Sequence, residues 1–410
     1  MSVLVPIALF GWIPVVLGLF ALLPPRRAVV WAFVLAWLFL PMSGYRISGF
    51  PDYTKTSATT VGVLLAALLF DTGRVLSFRP KWFDLPMLVY CLCPFASSIT
   101  NGLGAYDGMS EVIRQTFTWG LPYLIGRIYF TDLAGLRELA MGVFLGGLLY
   151  VPLCLYEIRM SPQLHTMVYG FHQHHFAQAA RGSGWRPTVF MQHGLMVGIW
   201  MASASLVGFW LWWTGALRRL WGMPVVVPLV VLLLTTVLCK SAGALALLAV
   251  GIVALLLMKW TRLALPLLVL VAIPPLYVTL RPTGNWGGEG LVRLAAAVAG
   301  EERAASLAHR VNNENRLAHK ALQRPVFGWG GWRRARILDP ETGRDLAKTD
   351  GLWIVTLGNQ GIVGLASLTT AWLLPALLMW RRFPIMTWSA ATVAPGAAMV
   401  MLCVLHMIDS

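Results

Sequence analysis

The chain is 410 residues long, 58% apolar and only 12% charged, with a mean hydropathy of +0.69. A soluble core cannot hide that much apolar surface, so the composition excludes an ordinary soluble domain and leaves a polytopic membrane protein. The formal charge of +15 then reads as an orientation signal at membrane boundaries, and no nucleic-acid partner is needed to explain it.

Twelve apolar runs predict membrane helices, at 3–23, 28–42, 57–71, 84–99, 112–129, 134–157, 189–214, 222–239, 242–258, 263–280, 351–380 and 386–407. At ~20 residues per crossing, most are long enough to span a bilayer, and 351–380 is long enough to tilt. The first run has no Lys or Arg before it and no small-residue cleavage site, which predicts a retained helix and not a signal peptide. Breaks are expected at Pro24-Pro25, at Pro274-Pro275 and in the Gly-rich stretch Gly284 to Gly290. The five cysteines, Cys91, Cys93, Cys154, Cys239 and Cys403, lie in or beside apolar runs without zinc-like spacing and read as packing residues. The expected fold is an all-α polytopic integral membrane protein of about twelve transmembrane helices with a large helical external loop. Ten helices fill 1–280, with an external loop at 158–188. The large loop is 281–350, and the C-terminal helices occupy 351–410.

Short loops carrying Arg26-Arg27, Arg74 with Arg79 and Lys81, Arg127 with Arg137, Arg218-Arg219, Lys259 with Arg262, and Arg381-Arg382 alternate with loops poor in positive charge. The positive-inside rule makes the first set cytoplasmic. The segments 158–188, Lys240-Ser241 and 281–350 then fall on the outer face. The basic residues of 281–350 do not oppose this, because long loops translocate largely regardless of charge.

The segment 281–350 is the one long polar stretch, with twelve Lys or Arg residues, among them Arg310, against eight acids. Helices are predicted over Glu289 to Ala299 and Glu301 to Gln323. In the second, Leu307, Val311, Ala318 and Leu322 form an apolar stripe, and His309, Asn312, Arg316 and Lys320 a polar one. Arg324 and the Gly-rich Gly328-Trp329-Gly330-Gly331-Trp332 follow, where backbone can approach a ligand closely. Asp350 stands at the mouth of the next membrane helix, as an N-cap or as a general base. In 158–188, His172, His174 and His175 lack the carboxylate or cysteine partners of a metal site, so an interfacial hydrogen-bonding cluster is the expectation. Arg186 leads into a membrane helix and is suited to clamp a diphosphate through its planar fork. His193 lies just inside the apolar run, where an ionisable group is a functional hypothesis. Lys240 and Arg114 sit at outer helix ends, where they snorkel or add positive field.

Asn315 to Gly330, with its Arg316, short helix and Pro325-x-x-Gly328-x-Gly330, resembles the large external loop of the O-antigen ligase and O-antigen polymerase superfamily. Asp350-Gly351-Leu352-Trp353 through Gly364, Arg186 to Gly194, and Ser241-Ala242-Gly243-Ala244 are similar to three further stretches of that family, in the same order. Two positions depart: Asp350 stands where the family often has His, and Ala242 where it often has Arg, with Lys240 two residues earlier. The resemblance implies a metal-independent inverting glycosyltransferase, without cofactor, at the outer face of the bacterial cytoplasmic membrane. Its donor would be a polyprenyl-diphosphate-linked glycan and its acceptor a glycan or lipid. Asp350, Arg316, Arg186 and His193 would be catalytic. Arg114, Lys240, Arg310, His319, Lys320 and Arg324 would bind substrate. The alternative is a transporter or flippase for a lipid-linked or anionic saccharide, which would favour charges at the membrane midplane on broken helices.

Overall fold

The computed structural model describes residues 3–47, 51–181, 184–282, 287–347 and 351–410. It is 72% helical with almost no sheet. In chain order the helices are α1 Leu4–Leu22, α2 Pro25–Phe39, α3 Lys55–Phe70, α4 Thr72–Leu76, α5 Leu85–Thr100, α6 Ala105–Gln115, α7 Leu121–Tyr129, α8 Leu133–Met160 and α9 Leu164–Tyr169. They continue as α10 Gly194–Trp213, α11 Val226–Leu238, α12 Ala242–Thr261, α13 Leu265–Leu280, α14 Glu289–Ala299, α15 Glu301–Ala321, α16 Leu352–Arg382 and α17 Ala394–Asp409.

The expected apolar runs all fall on helix, but not as twelve full-length spans. Among the described residues, six stretches are long and apolar enough to cross a membrane: α1, Trp82–Thr100 containing α5, α8, α10, α12 and α16. Four shorter apolar helices, α3, α11, α13 and α17, accompany them. The run 112–129 is not one α-helix. α6 ends at Gln115, a π-helical turn covers Thr116–Gly120, and α7 follows. Pro122 lacks the N–H that would continue the ladder. Gly120 packs on α5 so closely that a Cβ there would fall 2.9 Å from Cys91 Sγ.

Pro25 opens α2, where a missing N–H is harmless. Pro274 and Pro275, by contrast, lie inside α13 and do not end it. In an apolar medium a frayed helix end costs more than the two lost bonds. All five cysteines are unpaired thiols, four of them buried, in keeping with a packing role.

Two compact units divide the chain. The first comprises Met1–Arg79, Leu121–Leu267 and Leu377–Leu405, and the second Pro80–Gly120, Leu268–Ala376 and His406–Ser410. In the first unit α2, α10 and α11 all pack on α8. Gly142 and Gly146, four residues apart on α8, let α2 approach. A Cβ on either would fall 2.0 Å or 2.7 Å from the Val30 or Val34 side chain. Arg26 pairs with Asp132, Arg27 with Glu138 at 3.0 Å, and Arg127 lies over the Phe78 ring at 5.7 Å. Within this unit, several basic loops assigned to one face therefore share one end of the bundle.

In the second unit α14 and α15 form a hairpin about Gly300. α15 buries Leu317, Ala318 and Ala321 against Trp353, Ile354 and Leu357 of α16. The expected apolar stripe is thus partly right. Val311 and Ala318 are buried, but Leu322 is exposed, because α15 has ended by that residue and α16 takes up Leu317 and Ala321. The buried Arg281 pairs with Glu314 at 3.2 Å, and Tyr277 donates to the same carboxylate, tying α15 to the end of α13.

α16 is broken at Gly361, whose φ is 65°. A regular helix would bond the N–H groups of Ile362 and Val363 to the carbonyls of Gly358 and Asn359. Instead they donate to Pro325 and Val326, at 2.8 Å and 3.2 Å. The carbonyls of Gly358 and Asn359 accept from Trp329 and Gly330, at 2.8 Å and 3.0 Å. The loop replaces the helix's own bonds one for one. Its glycines therefore bring backbone against α16, not against open space as expected for a ligand. A Cβ on Gly328 would fall 2.6 Å from the Asn359 carbonyl carbon.

Candidate functional site

In the first unit the site begins with an acid that ends α8. Glu157 is fully buried and accepts N–H groups from Leu164 (2.9 Å), Thr188 (2.8 Å) and Val189 (2.7 Å). One carboxylate so closes both ends of the loop between α8 and α10. Tyr150 adds a second tie, donating to the Leu38 carbonyl and accepting from Phe190 N–H at 3.1 Å. Gln173 donates to Thr188 Oγ1 and to the carbonyls of Val189 and Met191. The segment that carries Arg186 and His193 is therefore a fixed structure.

Arg186 leaves a short antiparallel hairpin, Ala180–Arg181 with Gly184–Trp185. Its Nη2 donates to the Lys240 carbonyl at 2.8 Å. Its stem lies across Gly194, where a Cβ would fall 2.2 Å from Arg186 Cδ. Lys240 occupies the tight α11–α12 turn with φ 51°, and its ammonium reaches the hairpin, 2.9 Å from where a Cβ on Gly184 would stand. His193 is the N-cap of α10, accepting Met196 N–H on Nδ1 at 3.2 Å. That places the proton of the neutral ring on Nε2. The His174 ring stands 5.9 Å from that of His193. Arg186 and His193, from one predicted stretch, and Lys240, from another, thus meet at the N-terminal end of one membrane-length helix. Among the described residues no three His, Cys, Asp or Glu side chains group as metal ligands.

In the same loop His165 is buried, with Nδ1 facing the Phe171 carbonyl at 2.9 Å and Nε2 accepting Met42 N–H at 3.3 Å. Burial pushes its pKa below the usual 6.5, and the charges of His172 and Lys55 push the same way. The bond to Phe171 opposes them and loses.

The second unit sorts its cations into two groups. Arg114 pairs with Glu111 and is held as a structural ion. Arg334 pairs with Asp107 at 3.0 Å, and Arg336 and Arg333 share Asp345 at 2.6 Å and 3.9 Å. Burial raises the Asp107 pKa, but hydrogen bonds from Arg334 and Ser98 and the Arg334 charge outweigh it and hold the carboxyl below its ordinary value. The other group sits on α15 and just beyond it. Arg310, Arg316, His319 and Arg324 are exposed and Lys320 half-buried. Arg316 donates to the Leu346 carbonyl at 3.1 Å, and Lys320 to that of Arg336. Among the described residues no carboxylate forms an ion pair with Arg316, Lys320 or Arg324. Arg310 acts electrostatically on Asp409. Asp350 lies outside the described residues.

The predicted residues therefore divide: Arg186, His193 and Lys240 belong to the first unit, and Arg114, Arg310, Arg316, His319, Lys320 and Arg324 to the second. Sequence reasoning missed Glu157, although a lone acid at the end of an apolar run is a signal of its own. It also missed Trp329, whose indole N–H donates to the Lys320 carbonyl at 2.9 Å. No protein-family model and no characterised protein matches the chain.

Proposed function

We propose that the chain is a membrane glycosyltransferase of the bacterial cytoplasmic membrane, transferring or polymerising a polyprenyl-diphosphate-linked oligosaccharide onto a glycan or lipid acceptor at the outer face. The observation that carries this reading is the meeting of Arg186, Lys240 and His193 at the N-terminus of α10. A helix N-terminus favours anions, and a guanidinium beside it supplies charge-assisted bonds to phosphate oxygens. An apolar helix of membrane length leading from that point suits a donor whose diphosphate sits at the bilayer rim and whose tail lies in the lipid. The shorter helices, with α2 and α7, complete the twelve crossings in this reading.

The reaction breaks the bond between the anomeric carbon and the diphosphate as an acceptor hydroxyl attacks from the opposite side, inverting that carbon. The electron pair leaves with the diphosphate, and fixed cations take up its charge without reorganising. The hydroxyl proton passes to a base, with Asp350 as the candidate, while His193, whose Nδ1 accepts Met196 N–H, offers its Nε2–H as a donor. In the second unit, Arg316 on α15 forms no ion pair with a carboxylate among the described residues and is open to an anion.

The break in α16 is a feature that favours a transporter, since such proteins bind substrate at discontinuous helices. Its four backbone groups are already taken by residues 325–330 and offer a substrate nothing. The test is incubation of purified protein with a polyprenyl-diphosphate oligosaccharide. Longer glycans together with released diphosphate lipid support transfer. Passage of substrate across vesicles without new glycosidic bonds supports transport.

A further inference from the structure

We infer that Trp329 and Gly361 are positioning residues that hold Lys320 and Arg324 together as a seat for a diphosphate group within the second unit. The inference rests on the transferase reading for its choice of ligand and on the second unit alone for its geometry. Lys320 Nζ and the Arg324 guanidinium carbon each lie 5.5 Å from the Trp329 ring centre. The ring is fixed on both sides. Its indole N–H donates to the Lys320 carbonyl at 2.9 Å on α15, and its backbone N–H donates to the Gly358 carbonyl at 2.8 Å in the break of α16. α5 closes the clasp, with Ser97 donating to the Phe327 carbonyl and Asn101 to the Gly328 carbonyl at 2.8 Å.

Two like charges four residues apart repel. Here they share one aromatic ring, and no carboxylate forms an ion pair with either among the described residues. Nearby cations are neutralised by acids, as Arg334 is by Asp107 and Arg336 by Asp345. A bridging anion with several oxygens relieves the repulsion, and a diphosphate supplies them. Gly361 makes the clasp possible. A Cβ there would fall 2.3 Å from the Val326 carbonyl oxygen, and φ of 65° is unfavourable for any side chain. Alanine at this position expels the loop. It also lets Ile362 and Val363 return to the carbonyls of Gly358 and Asn359, so α16 keeps its bonds while Trp329 loses its anchor.

The experiment uses the full chain in detergent micelles with farnesyl diphosphate as the binding probe, over a range of salt concentrations. Wild-type protein is expected to bind with an affinity that falls as salt rises. Gly361→Ala is expected to bind about tenfold more weakly, equivalent to one charge-assisted bond, with a flatter salt dependence. Trp329→Phe, which keeps a ring but loses the indole N–H, is expected to fall between. The double variant Ser97→Ala with Asn101→Ala leaves α16 unchanged and is expected to move in the same direction, which covers the case where Gly361→Ala does not fold. Wild-type affinity and salt slope in the folded Gly361→Ala protein or in the double variant overturn the inference, as does a wild-type chain that does not bind the probe. A wild-type chain that binds in this pattern yet transfers no glycan sinks the transferase reading and leaves the seat standing.

Discussion

The Glu157 carboxylate accepts the backbone N–H of Val189 at 2.7 Å across 32 positions of chain. The same group takes Thr188 and Leu164, so a single buried acid sets the path of the loop that delivers Arg186 and His193. An ionised carboxylate out of water is costly unless hydrogen bonds surround it. The three N–H donors supply that surround, and they are satisfied in return.

Glu157→Gln tests this. An amide has one oxygen, and its NH2 would face an N–H, so at least one of the three bonds is lost. The expected loss is about 2 kcal/mol, with Glu157→Ala worse. Thermal unfolding in detergent, with hydrogen exchange at Thr188 and Val189, is the measurement. Wild-type protection at both amides in Glu157→Gln would remove the carboxylate from this role.

Gly194→Ala displaces Arg186 without deleting it. The new methyl would meet Arg186 Cδ and Cγ at 2.2 Å and 2.3 Å. Alanine is a better helix former than glycine by ~1 kcal/mol, which offsets part of the strain. Stability is expected to change little, while glycan transfer drops at least about tenfold, as for loss of one well-placed charged donor. Unchanged transfer in a folded protein would mean that the position of Arg186 does not matter.

Arg316→Ala should leave folding nearly intact, because the side chain is exposed and, among the described residues, makes one bond, to the Leu346 carbonyl. The expected cost is below ~1 kcal/mol. Arg186→Ala costs somewhat more through the bond to the Lys240 carbonyl. Both are expected to abolish transfer. Normal polymer length and yield in the two variants would count heavily against the proposed function.

Acid should destabilise the fold in two separate windows. His165 is depressed below 6.5, so the unfolded chain takes up the proton first. Its contribution is complete above that value and declines as the pH falls below it, when protonation of Nε2 breaks the bond from Met42 N–H. Asp107 is depressed below 3.8, so its contribution is complete above that value and is lost only as the pH falls through the lower folded value. Unfolding temperatures recorded from neutral to acid pH should show both declines. His165→Gln is expected to remove the upper one and Asp107→Asn the lower.

What the sequence by itself determined was the class of molecule and the division of labour along it. Composition and run length made the chain a helical membrane protein, and helical periodicity located α14 and α15 within a residue or two. These are local properties, written in the spacing of apolar residues and legible without neighbours. Arg186, His193 and Lys240 were visible one at a time as ionisable groups at helix ends. That they meet at the start of α10 was decided by the tertiary structure, through a buried Glu157 whose partners lie up to 32 positions away. The fold likewise decided which cations of 281–350 are spent on carboxylates. Arg334 and Arg336 look no different from Arg316 and Arg324 in the sequence, and only packing puts Asp107 and Asp345 beside the first two. Gly361 reads as one more glycine in a membrane helix. Its break exists because a distant loop supplies, bond for bond, the hydrogen bonds that the helix gives up, and such an exchange has no signature in either segment alone.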